Sequence, residues 1–174
     1  MRYIFENGNS NYDEQIETKN SKYSEYSKWM KLILRRSEEI GKIELPICSI
    51  ILDETGRCIG RGVNSRNINK DPLGHAEIMA LRQASLIKND WRFNECIIIT
   101  NLEPCTMCAS VLIQARMGKV VFGASDKKRG GLGGSIDLSK HKSSHHKMEI
   151  IGGILEDECS KILKLWFKKL RTQK

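Results

Sequence analysis

Two short segments carry the residues able to do chemistry together: GHAEIMAL, with His75 and Glu77, and NLEPCTMC, with Cys105 and Cys108. One imidazole and two thiolates suit zinc by softness. Three protein ligands leave the fourth tetrahedral position to water, which marks a catalytic rather than a structural site. The i, i+3 spacing of Cys105 and Cys108 lets both sulfurs face one point if that segment is helical. A helix N-terminus also lowers thiol pKa and helps hold two thiolates. Zinc lowers the pKa of its water from 15.7 toward about 7, which yields hydroxide at neutral pH. Glu77, two residues from His75 and not itself a ligand, is then placed to take a proton from that water and return it to the substrate.

Other readings exist for each piece. CxxC alone is often half of a structural zinc site or a redox pair, and HAE alone is ordinary helix-start sequence. A structural site needs a fourth ligand, for which Cys159 or His145 could be offered, though neither has a partner at ligand spacing. A redox pair leaves His75 and Glu77 unexplained.

Elements must bring the two segments together. From about Tyr23 to Gly41 the apolar residues Tyr26, Trp29, Met30, Ile33 and Leu34 recur at three and four, which predicts a helix. LPICSIILD and RCIGRGVN flank DETG, a hairpin whose turn uses Gly56 at positive φ. HAEIMALRQASLIK is helical. ECIIIT is a short β-branched run apolar on both faces, hence a central strand. PCTMCASVLIQARM predicts a helix with Pro104 at its first position, where a missing N–H is harmless. GKVVFGAS and MEIIGGI are strands around a polar loop. EDECSKILKLWFKKLR closes the chain as a helix with Cys159, Leu163, Trp166 and Leu170 on one face. The order gives an α/β layered domain.

At 174 residues the chain suits one domain with its own core. Residues 1–22 lack apolar periodicity and read as a poorly ordered extension, leaving 23–174 as the domain. The longest apolar run, LPICSIIL at 45–52, is far too short for a membrane span. The N-terminal stretch lacks the apolar core of a signal peptide and carries acids a transit peptide avoids, so the expected location is the cytoplasm, with no membrane partner. The six cysteines lack the regular framework of a small secreted domain and are expected to be reduced. The net charge of +8 is unevenly placed: residues 1–115 hold 15 basic and 15 acidic side chains, residues 116–174 hold 14 and 6. Such a localised excess fits a surface that meets phosphates, although a solvated basic face would look the same.

The H-x-E and P-C-x-x-C pattern resembles the zinc nucleobase deaminase signature. HAEIMALRQA, LEPCTMCA, QARMGKVVFGASD and GGILEDEC closely resemble the bacterial tRNA-specific adenosine deaminases, over about Ser24 to Arg171. The resemblance implies a three-layer α-β-α cytidine-deaminase-like fold with a central mixed five-stranded sheet. It also implies a homodimer with one Zn2+ per subunit, and hydrolysis of adenosine to inosine at the wobble position of a tRNA anticodon stem-loop. It implies His75, Cys105 and Cys108 as zinc ligands and Glu77 as proton shuttle. Asn64 matches a pocket asparagine, against the reading of a turn residue after a strand. Backbone groups near Ala76 and Pro104 would read the base edge. Asp126 matches a position beside the flipped nucleotides, or it simply closes a turn. In the last helix Lys164, Phe167 and Lys168 would meet the RNA, lysines on phosphate and an aromatic ring on a base. Cys48-Ser49, Leu73-Gly74, one extra residue in GGLGGS and the N-terminal extension depart from the family pattern without removing a ligand.

Rival functions remain. A free-base or nucleoside deaminase of the guanine or cytosine type shares the zinc motifs but has no need of a basic tail. A riboflavin-pathway deaminase spaces its second cysteine farther from the first. A non-catalytic RNA-binding module could dispense with Glu77 or a ligand, and all four are present.

Overall fold

The computed structural model describes the backbone of residues 10–172 and the side chains of residues 23–172. Helix α1 spans Ser10–Ile40, so it begins ahead of the expected start near Tyr23 and ends where expected. Residues 1–9 of the expected extension lie outside the described residues. Strands β1 (Cys48–Leu52) and β2 (Cys58–Val63) form the hairpin, with Gly56 at φ 79° in its turn. A short helix α2 (Arg66–Asn69), absent from the sequence reading, leads to α3 (Ala76–Lys88). Then follow β3 (Ile97–Leu102), α4 (Thr106–Gln114), β4 (Lys119–Ala124), β5 (Glu149–Ile151) and α5 (Glu156–Thr172).

The five strands make one mixed sheet in the order β2-β1-β3-β4-β5. β1 is antiparallel to β2 and β3, while β3, β4 and β5 run parallel. Alternation along the central strands sends neighbouring side chains to opposite faces. Ile51, Ile98 and Val120 join Ala80, Leu81 and Ala84 of α3 and Leu112 of α4 in one core. Leu52, Ile99 and Val121 join Tyr26, Met30 and Ile33 of α1 and Cys159 and Leu163 of α5 in another. The sheet is therefore covered on both faces, giving the three-layer α-β-α arrangement expected. The double coverage explains why ECIIIT reads as apolar throughout rather than alternating.

Two expectations need correction. α4 starts at Thr106 with Cys105 as its N-cap, so Pro104 is not the first helical residue. Cys105 is still extended, at φ −65° and ψ 170°, and forms an isolated bridge with Gly130 that keeps the strand geometry going past β3. In α5 the apolar face outlasts the body it packs on: Cys159 and Leu163 are buried, Trp166 is half-buried, and Leu170 is exposed.

Among the described residues, no helix is long and apolar enough to cross a membrane. All six cysteines are free.

Candidate active site

The site forms where the chain leaves β3 and where two helices begin. His75 is the N-cap of α3 and Cys105 the N-cap of α4, and neither side chain caps its own helix. Both are thereby free to point outward from helix ends whose unpaired N–H groups favour negative charge. Cys108 follows one turn into α4 and is fully buried.

α3 is seated by its own small residues and by two glycines below them. A Cβ at Gly62 would overlap the Ala76 carbonyl oxygen, and one at Gly60 would overlap the Ala80 carbonyl oxygen. With glycines in β2 and Ala76, Ala80 and Ala84 in α3, helix and strand touch backbone to backbone. This contact fixes the height of His75 over the sheet.

His75 Nδ1 lies 3.6 Å from Cys105 Sγ and 3.4 Å from Cys108 Sγ, and the three ligand atoms all lie within 4.8 Å of one another. Tetrahedral zinc at ordinary Zn–N and Zn–S bond lengths separates nitrogen from sulfur by about 3.5 Å. The donor set and its spacing fit that ion. Neither Cys159 nor His145 joins this group. Cys159 packs against Gly123 in the core on the other face of the sheet, so it is excluded as a fourth ligand.

The charges couple. The Cys108 hydrogen bond, followed by that of His75, holds the Cys105 thiol down at about 4. Cys108 is pushed up by its neighbour Cys105 and by burial. The hydrogen bond to Cys105 raises His75. Glu77 is buried, and loss of water pushes its carboxyl up to about 7. A carboxyl poised there can both accept and give a proton near neutral pH.

The other expected residues divide. The Ala76 N–H opens α3 and lies outside the intrahelical ladder, available to a ligand. The Pro104 carbonyl already accepts from the Gly131 N–H at 2.8 Å, leaving one lone pair. Asp126 closes a turn, its Oδ1 accepting from the N–H groups of Lys128 and Arg129. That turn is tied to the site because the Asp126 N–H donates to Glu103 and the Arg129 carbonyl accepts from the Thr106 N–H. Asn64 is buried at the end of β2. Lys164, Phe167 and Lys168 are exposed on α5, in the layer across the sheet from α3 and α4, and are not brought to the cluster.

Two buried acids escaped the sequence reading. Glu103, 2% exposed, accepts from the N–H groups of Asp126, Leu132 and Gly134. The glycines of GGLGGS leave room for it, since a Cβ at Gly130 or Gly134 would overlap its carboxylate. Glu44, 1% exposed, accepts from Asn64, Asn67, Leu45 and Ile68. Each stands in an apolar stretch and lies next to or near a proline, in NLEPC and IELPIC, an anomaly that could have revealed them.

Residues 23–124 match the family described as the cytidine and deoxycytidylate deaminase zinc-binding region. The chain is 35% identical over 139 residues to the tRNA-specific adenosine deaminase of Haemophilus influenzae, covering 80% of this chain and 79% of that protein. The chain belongs to this zinc-binding deaminase family. Within it, the deaminase groups with the tRNA-specific adenosine deaminases. A structure from work on A-to-I editing by tRNA:A34 deaminases at the wobble position of transfer RNA superimposes with a TM-score of 0.74 at 31% identity, covering 77% of this chain and 97% of that one. Guanine deaminase from Nitrosomonas europaea shares the fold, with a TM-score of 0.61 at 19% identity over 78% of this chain and 79% of that one. The deaminase is thus a zinc-dependent hydrolytic enzyme with the five-stranded α/β fold of its relatives.

Proposed function

We propose that this enzyme converts adenosine to inosine at the wobble position of a tRNA anticodon. The observation that carries the reading is the arrangement of His75, Cys105 and Cys108 at zinc-ligand spacing over buried Glu77, in a chain 35% identical to a tRNA-specific adenosine deaminase. His75 Nδ1 and the two sulfurs hold the ion. Zinc supplies a Lewis acid that makes a water molecule acidic near neutral pH.

Glu77 takes the proton from water as the oxygen bonds to carbon 6 of adenine, and passes it to the neighbouring ring nitrogen. It then takes the remaining proton from the new hydroxyl on carbon 6 and delivers it to the exocyclic amine; the carbon–nitrogen bond breaks, ammonia leaves, and the oxygen becomes the carbonyl of inosine. The Ala76 N–H and the Pro104 carbonyl hold the base edge, Asn64 contacts the nucleoside, and Asp126 lies beside the flanking nucleotides. The base must be unstacked to enter, which an anticodon loop permits more readily than a duplex. Lys164, Phe167 and Lys168 grip the RNA by phosphate contact and stacking. The working unit is a homodimer in the cytoplasm, with residues 23–174 as the deaminase domain and residues 1–22 as an appendage.

The test is inosine formation by the purified, zinc-loaded protein on an anticodon stem-loop with adenosine at the wobble position, beside free adenosine, adenine and guanine. Conversion of the stem-loop alone is expected. Conversion of a free base or nucleoside alone would discard the RNA reading and keep the zinc chemistry.

A further inference from the structure

Glu44 is the most heavily hydrogen-bonded buried acid described, and the reaction outlined above does not use it. It lies between the end of α1 and the start of β1. Its Oε1 accepts from Asn64 Nδ2 at 3.1 Å, Asn67 Nδ2 at 2.9 Å and the Leu45 N–H at 3.1 Å. Its Oε2 accepts from the N–H groups of Asn67 at 2.8 Å and Ile68 at 3.2 Å.

The place of Asn64 follows from the strand. The Asn64 N–H still donates to the Ile47 carbonyl, so the ladder of β2 continues to this residue. Along that strand Gly60 lies under Ala80 and Gly62 under Ala76. The next position on the same face is Asn64, one step beyond the start of α3, at the end where His75 and Glu77 stand. A carboxylate only accepts, so Asn64 must turn its Nδ2 toward Glu44. Its Oδ1 has no partner among the described residues. Among the described residues Ser65 Oγ is the one fully buried side-chain polar atom without a partner, so Asn64 Oδ1 keeps some solvent access although its residue is buried.

We propose that Glu44 is a positioning residue that sets the polarity of Asn64, locking its amide nitrogen inward so that Oδ1 is offered as an acceptor to a hydrogen-bond donor on the bound nucleoside. The proposal rests on the nucleoside-deaminase reading given above. The donor is an N–H of the exocyclic amine or a ribose hydroxyl.

The amide of Glu44→Gln tests this, because the two sides of the carboxylate face different donors. The Oε2 side meets two fixed backbone donors, the N–H groups of Asn67 and Ile68, against the single Leu45 N–H on the Oε1 side, so a glutamine keeps its oxygen toward Asn67 and Ile68 and turns its NH2 to the Asn64 and Asn67 side chains. Asn64 responds by flipping, which presents a donor where an acceptor stood. Glu44→Gln is therefore expected to lower kcat/KM on the stem-loop by about tenfold, the scale of a lost hydrogen bond with a buried donor left facing a donor. Adding Asn64→Asp should recover most of that loss, since aspartate accepts from the glutamine and still presents an oxygen. With Glu44 intact, Asn64→Asp sets two carboxylates face to face and should be poorer than Asn64→Ala. A purely structural Glu44 gives a different pattern: lower melting temperature and no recovery in the exchanged pair.

Wild-type kcat/KM in Glu44→Gln, or an exchanged pair no better than Glu44→Gln alone, would overturn the proposal. If Glu44→Gln does not fold, the decision passes to the single Asn64 variants, and Asn64→Asp equal to or better than Asn64→Ala sinks it. Repeating the assay with 2′-deoxyadenosine at the wobble position identifies the donor: an unchanged penalty points to the amine, a vanished one to the 2′-hydroxyl. The wild-type arm tests the function separately. Should it convert guanine and leave the stem-loop untouched, the RNA reading fails and the same variants are compared on guanine.

Discussion

Glu77 and Glu103 are both buried, 4% and 2% exposed, and each stands two residues along the chain from a member of the ligand cluster, yet their surroundings differ. Glu103 receives N–H donors from Asp126, Leu132 and Gly134 and fastens the 126–134 loop to the segment that carries Cys105. Glu77, in the first turn of α3, receives no hydrogen bond from another residue's N–H group among the described residues, and burial pushes it up to about 7. A buried charge saturated with donors is a fastening. One left short of them can exchange its proton.

The sharpest way to break the comparison is to replace each acid by its amide. Glu77→Gln should lower kcat by about 10²–10⁴-fold while zinc content, measured by atomic absorption, and melting temperature stay at wild-type levels. Glu77→Gln with wild-type turnover would remove Glu77 from proton transfer.

Gly62→Ala tests whether the chemistry depends on the seating of α3 as well as on the side chains. The added Cβ meets the Ala76 carbonyl, which is backbone and cannot rotate away. Overpacking of this kind destabilises by about 1–3 kcal/mol, and displacement of His75 and Glu77 should lower kcat by about 10²-fold. Circular dichroism melts beside turnover would check it. Loss of stability without loss of kcat per folded enzyme would show that α3 keeps its height by another contact.

Glu103→Gln should behave as the opposite of Glu77→Gln. Glutamine cannot accept from all three N–H groups with both side-chain ends, so one buried donor faces an NH2. The loss is about 1–3 kcal/mol, or a melting temperature lower by about 3–10 °C in a chain of this size. Folded, zinc-loaded protein should keep kcat within about threefold, since Glu103 moves no proton. A collapse of kcat with the melting temperature intact would reverse the assignment of the two acids.

The same comparison shows which parts of the molecule the sequence could reveal. The meeting of His75, Cys105 and Cys108 was legible because a donor set suited to zinc restricts both residue type and spacing. The central strand and the two layers of helices were legible from periodicity, since burial on both faces leaves an unbroken apolar run. Glu103 and Glu44 were not, because their partners are mostly backbone N–H groups or lie far along the chain, and backbone donors leave no trace in residue type. The start of α4 was misplaced by one turn's edge: Pro104 suits a first helical position, but the Cys105–Gly130 bridge holds the chain extended through Cys105. Short α2 has no apolar stripe at all, and its first N–H groups are satisfied by Glu44 from elsewhere.

The smallest expected effect concerns cations that lack any such fastening. Lys127, Lys128 and Arg129 are exposed, and none has an acidic partner within 4 Å among the described residues. They are nonetheless held in place, because Asp126 accepts from the N–H groups of Lys128 and Arg129, and the Arg129 carbonyl accepts from the Thr106 N–H at the start of α4. Three unneutralised charges on a turn bound to the Cys105 segment suit the phosphates flanking an unstacked nucleoside. Each phosphate contact on a single strand contributes about 0.7 to the slope of log affinity against log salt. Replacing all three by alanine should therefore reduce that slope for the stem-loop by about 2 and raise KM, with kcat at saturation changed less than about threefold. Stem-loop binding titrated over a range of salt concentrations reads it directly. A slope unchanged from wild type would leave RNA binding to the cations of α5 and confine the 126–134 loop to holding Cys105 in place.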